Sequence, residues 1–247
     1  MKKMTVIITM AGLGSRFYKA GYDCPKYMIE ARGKTLFEWS MDSLSGYNRY
    51  TGRYIFVVRK EDHAAGFIRR HCMSYGINDI QIIEIAHVTD GQASTCMLAV
   101  PYCDLDSAIM VYNIDTYVEP GEMRFEQIAG DGHIPCFRAE GDHWSFVRTD
   151  EKGLAAEVKE KVRISDICTL GAYYFSSAGL YKSLYEAYYA DGGKAEMQEK
   201  YIAPLYDFMI KKGMTVTISI VNAKKVHVLG TPEELNTFLK ETERQDG

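Results

Sequence analysis

Met10-Ala11-Gly12-Leu13-Gly14-Ser15-Arg16, followed by Pro25-Lys26 with Lys26 ten residues beyond Arg16, joins a strand-ending glycine loop to two fixed cations. The apolar run at 5–10 predicts a buried strand, and the small residues Ala11, Gly12, Gly14 and Ser15 let the backbone turn sharply so that successive N–H groups face an anion. Arg16 can fork two oxygens of a polyphosphate, while Lys26 adds a compact point charge on an approach stiffened by Pro25. Without these two cations the glycines read equally well as a structural turn. The loop has no Gly-Lys-Ser/Thr ending of the P-loop kind, and Arg16-Phe17 replaces the third small residue of the dinucleotide fingerprint.

Outward from this loop, apolar runs at 5–10, 54–58, 80–85 and 108–112 alternate with stretches of helical spacing. That alternation predicts an α/β fold, Rossmann-like and doubly wound on a mostly parallel sheet. Thr35-Leu36-Phe37-Glu38 opens a helix as a capping box, and Phe37, Met41 and Leu44 form its core stripe. Beyond Asp115 shorter strands are expected at 134–138, 145–149 and 169–175, separated by the turns Glu140-Gly141-Asp142 and Asp150-Glu151-Lys152-Gly153. Helices follow at 178–189 and 198–212, the second stopped by Gly213. Thr231-Pro232-Glu233-Glu234 starts the last helix with cap, N1 proline and N3 glutamate in order. Residues 1–247 read as one continuous unit without repeat or linker.

The chain has 247 residues, 47% hydrophobic and 25% charged, enough to bury a substantial core. Its net charge of −4 speaks against a nucleic-acid-binding surface and for a single small phosphorylated ligand in a local basic pocket. Six cysteines without a Cys-x-x-Cys pair suggest buried free thiols rather than zinc or disulfides. No apolar run approaches the roughly 18 residues of a membrane span, so the expected location is cytoplasmic, without membrane insertion. A homo-oligomer is compatible with this composition.

Asn113-Ile114-Asp115 directly follows an apolar strand, which places a carboxylate at the carboxyl edge of the sheet, where open α/β folds collect ligands. Asp115 is therefore the candidate metal ligand, since Mg²⁺ takes one or two carboxylates together with phosphate oxygens and water. The lesser reading is that Asp115, as a turn former, caps the following turn. In Thr89-Asp90-Gly91-Gln92-Ala93 the glycine permits close approach and the amide of Gln92 can donate and accept, which suits a nucleobase edge. The other reading is Asp90 capping a helix that runs to residue 100. Glu157, Lys159, Glu160, Lys161 and Arg163 form a mixed charge run of the solvated kind. His227, in a short apolar strand, reads as a packed or edge residue. Tyr173, Tyr174, Tyr185, Tyr188 and Tyr189 read either as pocket lining or as amphipathic core.

In this order the motifs resemble those of the sugar-1-phosphate nucleotidylyltransferases, particularly the bacterial nucleoside-diphosphate-sugar pyrophosphorylase-like proteins of capsule and surface-polysaccharide clusters. The resemblance runs end to end. Besides the glycine loop and Cys24-Pro25-Lys26 it includes residues 89–95, Asn113-Ile114-Asp115, Trp144-Ser145-Phe146-Val147-Arg148, Glu160-Lys161, residues 170–175, 201–206 and 229–235. It implies a nucleotidyltransferase fold of the GT-A-like type with a small acceptor-binding lobe, a nucleotide-binding half at about 1–115 and an acceptor-binding half at about 116–247. It also implies in-line attack of an acceptor phosphate oxygen on the α-phosphorus of an NTP, with Mg²⁺ as cofactor and pyrophosphate released. By resemblance, Arg16 meets the departing pyrophosphate and Lys26 the α-phosphate, Ala11, Gly12, Gly14 and Ser15 wrap the phosphates, and Gln92 with Ala93 reads the base. Asp115 then holds Mg²⁺, Lys161 grips the acceptor phosphate, Glu199 joins it on the acceptor side, and Gly171 lets its strand pass close to the acceptor.

The chain departs from the pattern at Val228, where many relatives carry a second metal-binding Asp two residues before the late glycine, here Gly230. Asp115 with phosphates and water then suffices, or another carboxylate such as Glu199 swings in. Two other readings stay open on the sequence: a glycosyltransferase of related fold, and an inactive nucleotide- or sugar-phosphate-binding protein.

Overall fold

The computed structural model describes residues 3–190 and 199–243. In chain order these form β1 (Met4–Thr9), α1 (Ser15–Lys19), the short strands β2 (Glu30–Ala31) and β3 (Lys34–Thr35), α2 (Leu36–Asp42), β4 (Thr51–Arg59), α3 (Ala65–Ser74), β5 (Ile80–Ile85), α4 (Gln92–Met97), β6 (Ile109–Asn113) and β7 (Thr116–Val118). The second half adds β8 (Gly132–Arg138), β9 (Ser145–Thr149), β10 (Ala155–Glu160), β11 (Ile167–Thr169), β12 (Ala172–Phe175), α5 (Ala178–Tyr189), α6 (Ala203–Lys211), β13 (Val216–Ile220), β14 (Val226–Val228) and α7 (Pro232–Glu243).

The run Val6-Ile7-Ile8 is apolar at every position because β1 is covered on both faces. Val6 and Ile8 face one core with Phe37, Phe56, Ile68 and Met110, whereas Ile7 faces the other with Ile55, Val111, Phe175 and Tyr181. β1 lies parallel between β4 and β6, with Ile7 opposite Ile55 on one side and Val111 on the other. The sheet runs β5-β4-β1-β6-β12-β8-β11-β9-β10, with β13 parallel to β8. The chain therefore winds outward from β1 through β4 to β5, then crosses to β6, and the carboxyl ends of β1 and β6 frame a crevice at that reversal. From β12 onward the sheet continues with antiparallel pairs toward the β10 edge. The predicted α/β, doubly wound fold is the one observed, as a mixed sheet whose first half is wholly parallel.

A third apolar group, with Phe17, Leu36, Tyr117, Leu229, Leu235 and Phe238, packs α7 against α1 and β7. It brings the first turn of α7 beside the crevice. All six cysteines are free, and among the described residues no helix is long and apolar enough to cross a membrane.

Three expectations need correction. The strand expected at 169–175 is two strands, β11 and β12, because Leu170-Gly171 breaks it: Gly171 has φ +75°, and the Asn113 side chain occupies the space a Cβ would need. The helix expected at 198–212 is α6, Ala203–Lys211, which begins with Pro204 in its first turn; Gln198 lies outside the described residues. The charge run contributes its first part to β10, an edge strand in which Glu157 sits opposite Arg148 and pairs with it at 2.7 Å. Charged side chains on an edge discourage pairing with further strands.

His133 on β8 is fully buried beside Thr217 and Ser219 of β13. The Thr217 hydroxyl donates to the Ala129 carbonyl, so it accepts from His133 Nδ1–H at 2.8 Å, and Nε2 accepts from the Ser219 hydroxyl at 3.1 Å. The ring is held neutral, and burial pushes its pKa down to about 4 from 6.5. The unfolded chain therefore binds a proton that the folded chain refuses, so this stability is present above pH 6.5 and is lost as pH falls toward 4, by about 3 kcal/mol. Denaturant unfolding at pH 7 and pH 5 should show a smaller loss in His133→Gln, which keeps a donor and an acceptor, than in the wild type. Equal losses would show that His133 is not the titrating group.

Candidate active site

The crevice at the carboxyl ends of β1 and β6 is a cleft of about 740 Å³. Its first wall is the loop after β1, including Ala11, Gly12, Ser15 and Arg16. Met10 N–H donates to the Val57 carbonyl at 3.0 Å, anchoring the loop where the strand ends. Gly14 turns the chain into α1 with φ +61°, a left-handed conformation that glycine adopts without cost. Gly14 itself is not part of the wall.

Lys26 enters below this loop, and its Nζ lies 2.8 Å from Asp115 Oδ2. The two side chains are only 19% and 30% exposed, so each charge depends on the other for most of its compensation. Asp115 follows β6 as expected, and its carbonyl accepts from Leu229 N–H at 2.8 Å, which ties the segment before α7 to the sheet edge.

Gln92 lies on the opposite wall. Its amide NH₂ donates to Thr9 Oγ1 at 3.2 Å and to Asn113 Oδ1, bridging the ends of β1 and β6. Any ligand contact of this side chain therefore falls to its Oε1. Ala93 is buried behind the wall, its N–H on the Lys200 carbonyl and its own carbonyl accepting the Tyr181 hydroxyl. Asp90 does not cap α4, whose N-cap is Gly91; its carboxylate pairs with Lys200 Nζ at 2.7 Å. The close approach that Gly91 permits is to protein backbone: a Cβ there would stand 2.5 Å from Lys200 N. Gly171 likewise lies against the Asn113 side chain, and its carbonyl accepts from Asn113 N–H at 3.0 Å.

This strap at Lys200 brings Glu199 and Tyr201 to the far end of the cleft, with Phe137, Trp144, Tyr173 and Glu160. Tyr201 donates its hydroxyl to Glu199 and accepts from Lys161 Nζ, which stands 4.5 Å over its ring. Lys161 is thus one residue removed from the cleft wall, behind Tyr201. Glu160 faces the cleft instead, where it accepts from the Ser145 hydroxyl. Burial pushes its carboxyl above the usual carboxylate range, against the pull of Ser145 and Lys161. Of the tyrosines, Tyr173 reaches the cleft, while Tyr185, Tyr188 and Tyr189 pack against the core. His227 stacks on Tyr117.

Some lining residues carried no ligand signal in the sequence. Glu234 occupies the N3 place of a Thr-x-x-Glu motif and reads as a capping residue, yet its Oε2 is buried without a hydrogen-bond partner. Phe137 was hidden differently, as an ordinary apolar residue of β8. Among the described residues no group of three His, Cys, Asp or Glu side chains could hold a metal ion.

No protein-family model matches the chain, and no curated protein matches it. Solved structures do. The nucleoside-diphosphate-sugar pyrophosphorylase from Vibrio cholerae is 36% identical over 95% of this chain and 99% of its own, with a TM-score of 0.87. The inositol-1-phosphate CTP transferase from T. maritima shares 16% identity over 98% and 95%, with a TM-score of 0.77. The CTP:phosphocholine cytidylyltransferase from Streptococcus pneumoniae shares 13% over 97% and 99%, with a TM-score of 0.75. The last two are likenesses of fold.

The contact at Gly91 yields a stability test. Gly91→Ala places its Cβ against the Lys200 backbone at φ +141°, and should destabilise the protein by about 2 kcal/mol or more in thermal unfolding. Gly12→Ala, where a Cβ would meet nothing within 4 Å, should stay within about 0.5 kcal/mol of the wild type.

Proposed function

The chain belongs to the nucleoside-diphosphate-sugar pyrophosphorylase family of nucleotidyltransferases, and from that premise we propose that it joins an NTP to a phosphorylated small-molecule acceptor and releases pyrophosphate. The observation that carries this reading is the cleft at the β1/β6 reversal, with Arg16 and Lys26 at one end, Asp115 beside Lys26, and an aromatic, carboxylate-bearing end opposite.

In this reading the glycine loop and Ser15 hold the triphosphate, Gln92 meets the base through Oε1, and Arg16 faces the departing pyrophosphate. An oxygen of the acceptor phosphate attacks the α-phosphorus, and the bond from that phosphorus to the bridging oxygen breaks. The electron pair leaves with pyrophosphate. Lys26 exchanges Asp115 for the α-phosphate as negative charge grows there. No side chain acts as nucleophile, because positioning and charge neutralisation supply most of the rate in such transfers.

The residues fit a hard divalent cation: Asp115 presents a carboxylate at the sheet edge, and the buried, unpartnered Oε2 of Glu234 lines the same cleft. When bound, Mg²⁺ supplies charge neutralisation on the phosphate oxygens. The acceptor enters at the end with Trp144, Glu160, Tyr173, Glu199 and Tyr201, over Gly171, with Lys161 behind Tyr201. Neighbours of this fold are named for inositol-1-phosphate and phosphocholine as well as for sugars, so the acceptor class proposed is a small phosphate ester rather than a hexose-1-phosphate alone. Use of the product in surface-polysaccharide synthesis rests on the resemblance of the motifs.

Four NTPs assayed against a panel of acceptor phosphates, read by pyrophosphate release, should yield one productive pair that depends on both substrates and on Mg²⁺. Tight NTP binding with no release across the panel would overturn the reading in favour of a binding protein. In the productive assay, Lys26→Ala should lower kcat by about 100-fold or more through loss of a cation at the reacting phosphate.

A further inference from the structure

We infer that Glu234, from the first turn of α7, is the second carboxylate of the cation site anchored by Asp115; this rests on the nucleotidyl-transfer reading above. Two Thr-x-x-Glu motifs that open helices in this chain make the comparison. At α2 the box is closed: Glu38 N–H donates to Thr35 Oγ1, and the Glu38 carboxylate accepts from both the Thr35 N–H and hydroxyl. At α7 only the first half forms, with Glu234 N–H on Thr231 Oγ1 at 3.2 Å. The Glu234 carboxylate does not turn back to the cap; its Oε2 lies buried without a partner, on the cleft wall. A buried carboxylate oxygen left unbonded is costly. A cation would satisfy it.

Gly230 shows where that oxygen points. A Cβ built there would lie 3.4 Å from Glu234 Oε2 and 3.5 Å from Asp115 Oδ2. The two oxygens thus border one small volume, open only because residue 230 has no side chain. The framework around it is fixed: Leu229 and Leu235 are buried, and Leu229 N–H is bonded to the Asp115 carbonyl. Val228 offers no ligand atom, and Glu199 is engaged by the Tyr201 hydroxyl.

Charge balance agrees. Lys26 neutralises Asp115 at 2.8 Å. Once Lys26 turns to a phosphate, Asp115 and Glu234 leave two negative charges side by side, a match for a divalent ion that keeps its remaining positions for phosphate and water.

Direct Mn²⁺ binding, read from the electron-paramagnetic-resonance signal of free Mn²⁺, tests this without turnover. Lys26→Met, which frees Asp115, should bind Mn²⁺ about tenfold or more tightly than the wild type, and adding Glu234→Gln should remove that gain, as should adding Asp115→Asn. Gly230→Ala in the Lys26→Met background should also weaken binding, by filling the space between the oxygens. Circular dichroism confirms that each variant is folded, and Gly230→Ala keeps the test decisive should Glu234→Gln misfold. Unchanged Mn²⁺ affinity on adding Glu234→Gln, in an enzyme whose wild type releases pyrophosphate, would overturn the assignment and leave the function standing. Loss of Mn²⁺ binding in that variant, with no pyrophosphate from the wild type, would support the site while the proposed reaction failed.

Discussion

Lys26 and Asp115, 89 positions apart in the chain, meet at 2.8 Å where β1 and β6 end, and the rest of the cleft is organised around that pair. Each is only partly exposed, so removing either partner strands the other's charge in a poorly solvated place. The pair is also self-cancelling, each charge offsetting the other on the cleft wall. The same cleft also holds Glu160, Glu199 and Glu234, so the cations Arg16 and Lys26 offset part of a carboxylate-rich lining.

Two backbone contacts hold the walls at the right separation. Lys200 is bonded on either side of Gly91, through its N–H to the Asp90 carbonyl and through its carbonyl to Ala93 N–H. Gly171 accepts from Asn113 N–H and lies against the same side chain that receives the Gln92 amide. The first contact carries Glu199 and Tyr201 to the cleft wall, and the second joins the antiparallel half of the sheet to the parallel half. In both, a glycine suited to ligand contact in the sequence admits another piece of protein.

Much of the fold was legible because it depends on local pattern. β5, β9 and α5 fall where periodicity placed them, and β1, β4, β6 and β8 differ only at their ends. The break at Leu170-Gly171 was not legible, since it answers to Asn113 across the sheet. β10 was read as a solvated charge run because its alternating charges satisfy an edge strand and a surface loop equally well. Arg16, Lys26, Gln92 and Asp115 sit on one cleft, as side chains flanking strand ends must in an open α/β sheet. Lys161 stands behind Tyr201 and leaves Glu160 facing inward, a matter of which way one strand end turns.

The sequence by itself determined the strand-helix alternation, the glycine loop with its two cations, and the carboxylate after β6, because hydrophobic period and turn chemistry act over a few residues. It also supported the family resemblance that the Vibrio cholerae structure bears out. Tertiary structure alone decided that Lys26 pairs with Asp115, that Lys200 closes on Gly91, and that Glu234 leaves its capping box half made, with its Oε2 buried on the cleft wall beside Gly230. The first two contacts join residues 89 and 109 positions apart. No short-range pattern encodes such pairs; they exist only once the packed sheet and the docking of α7 have brought them together.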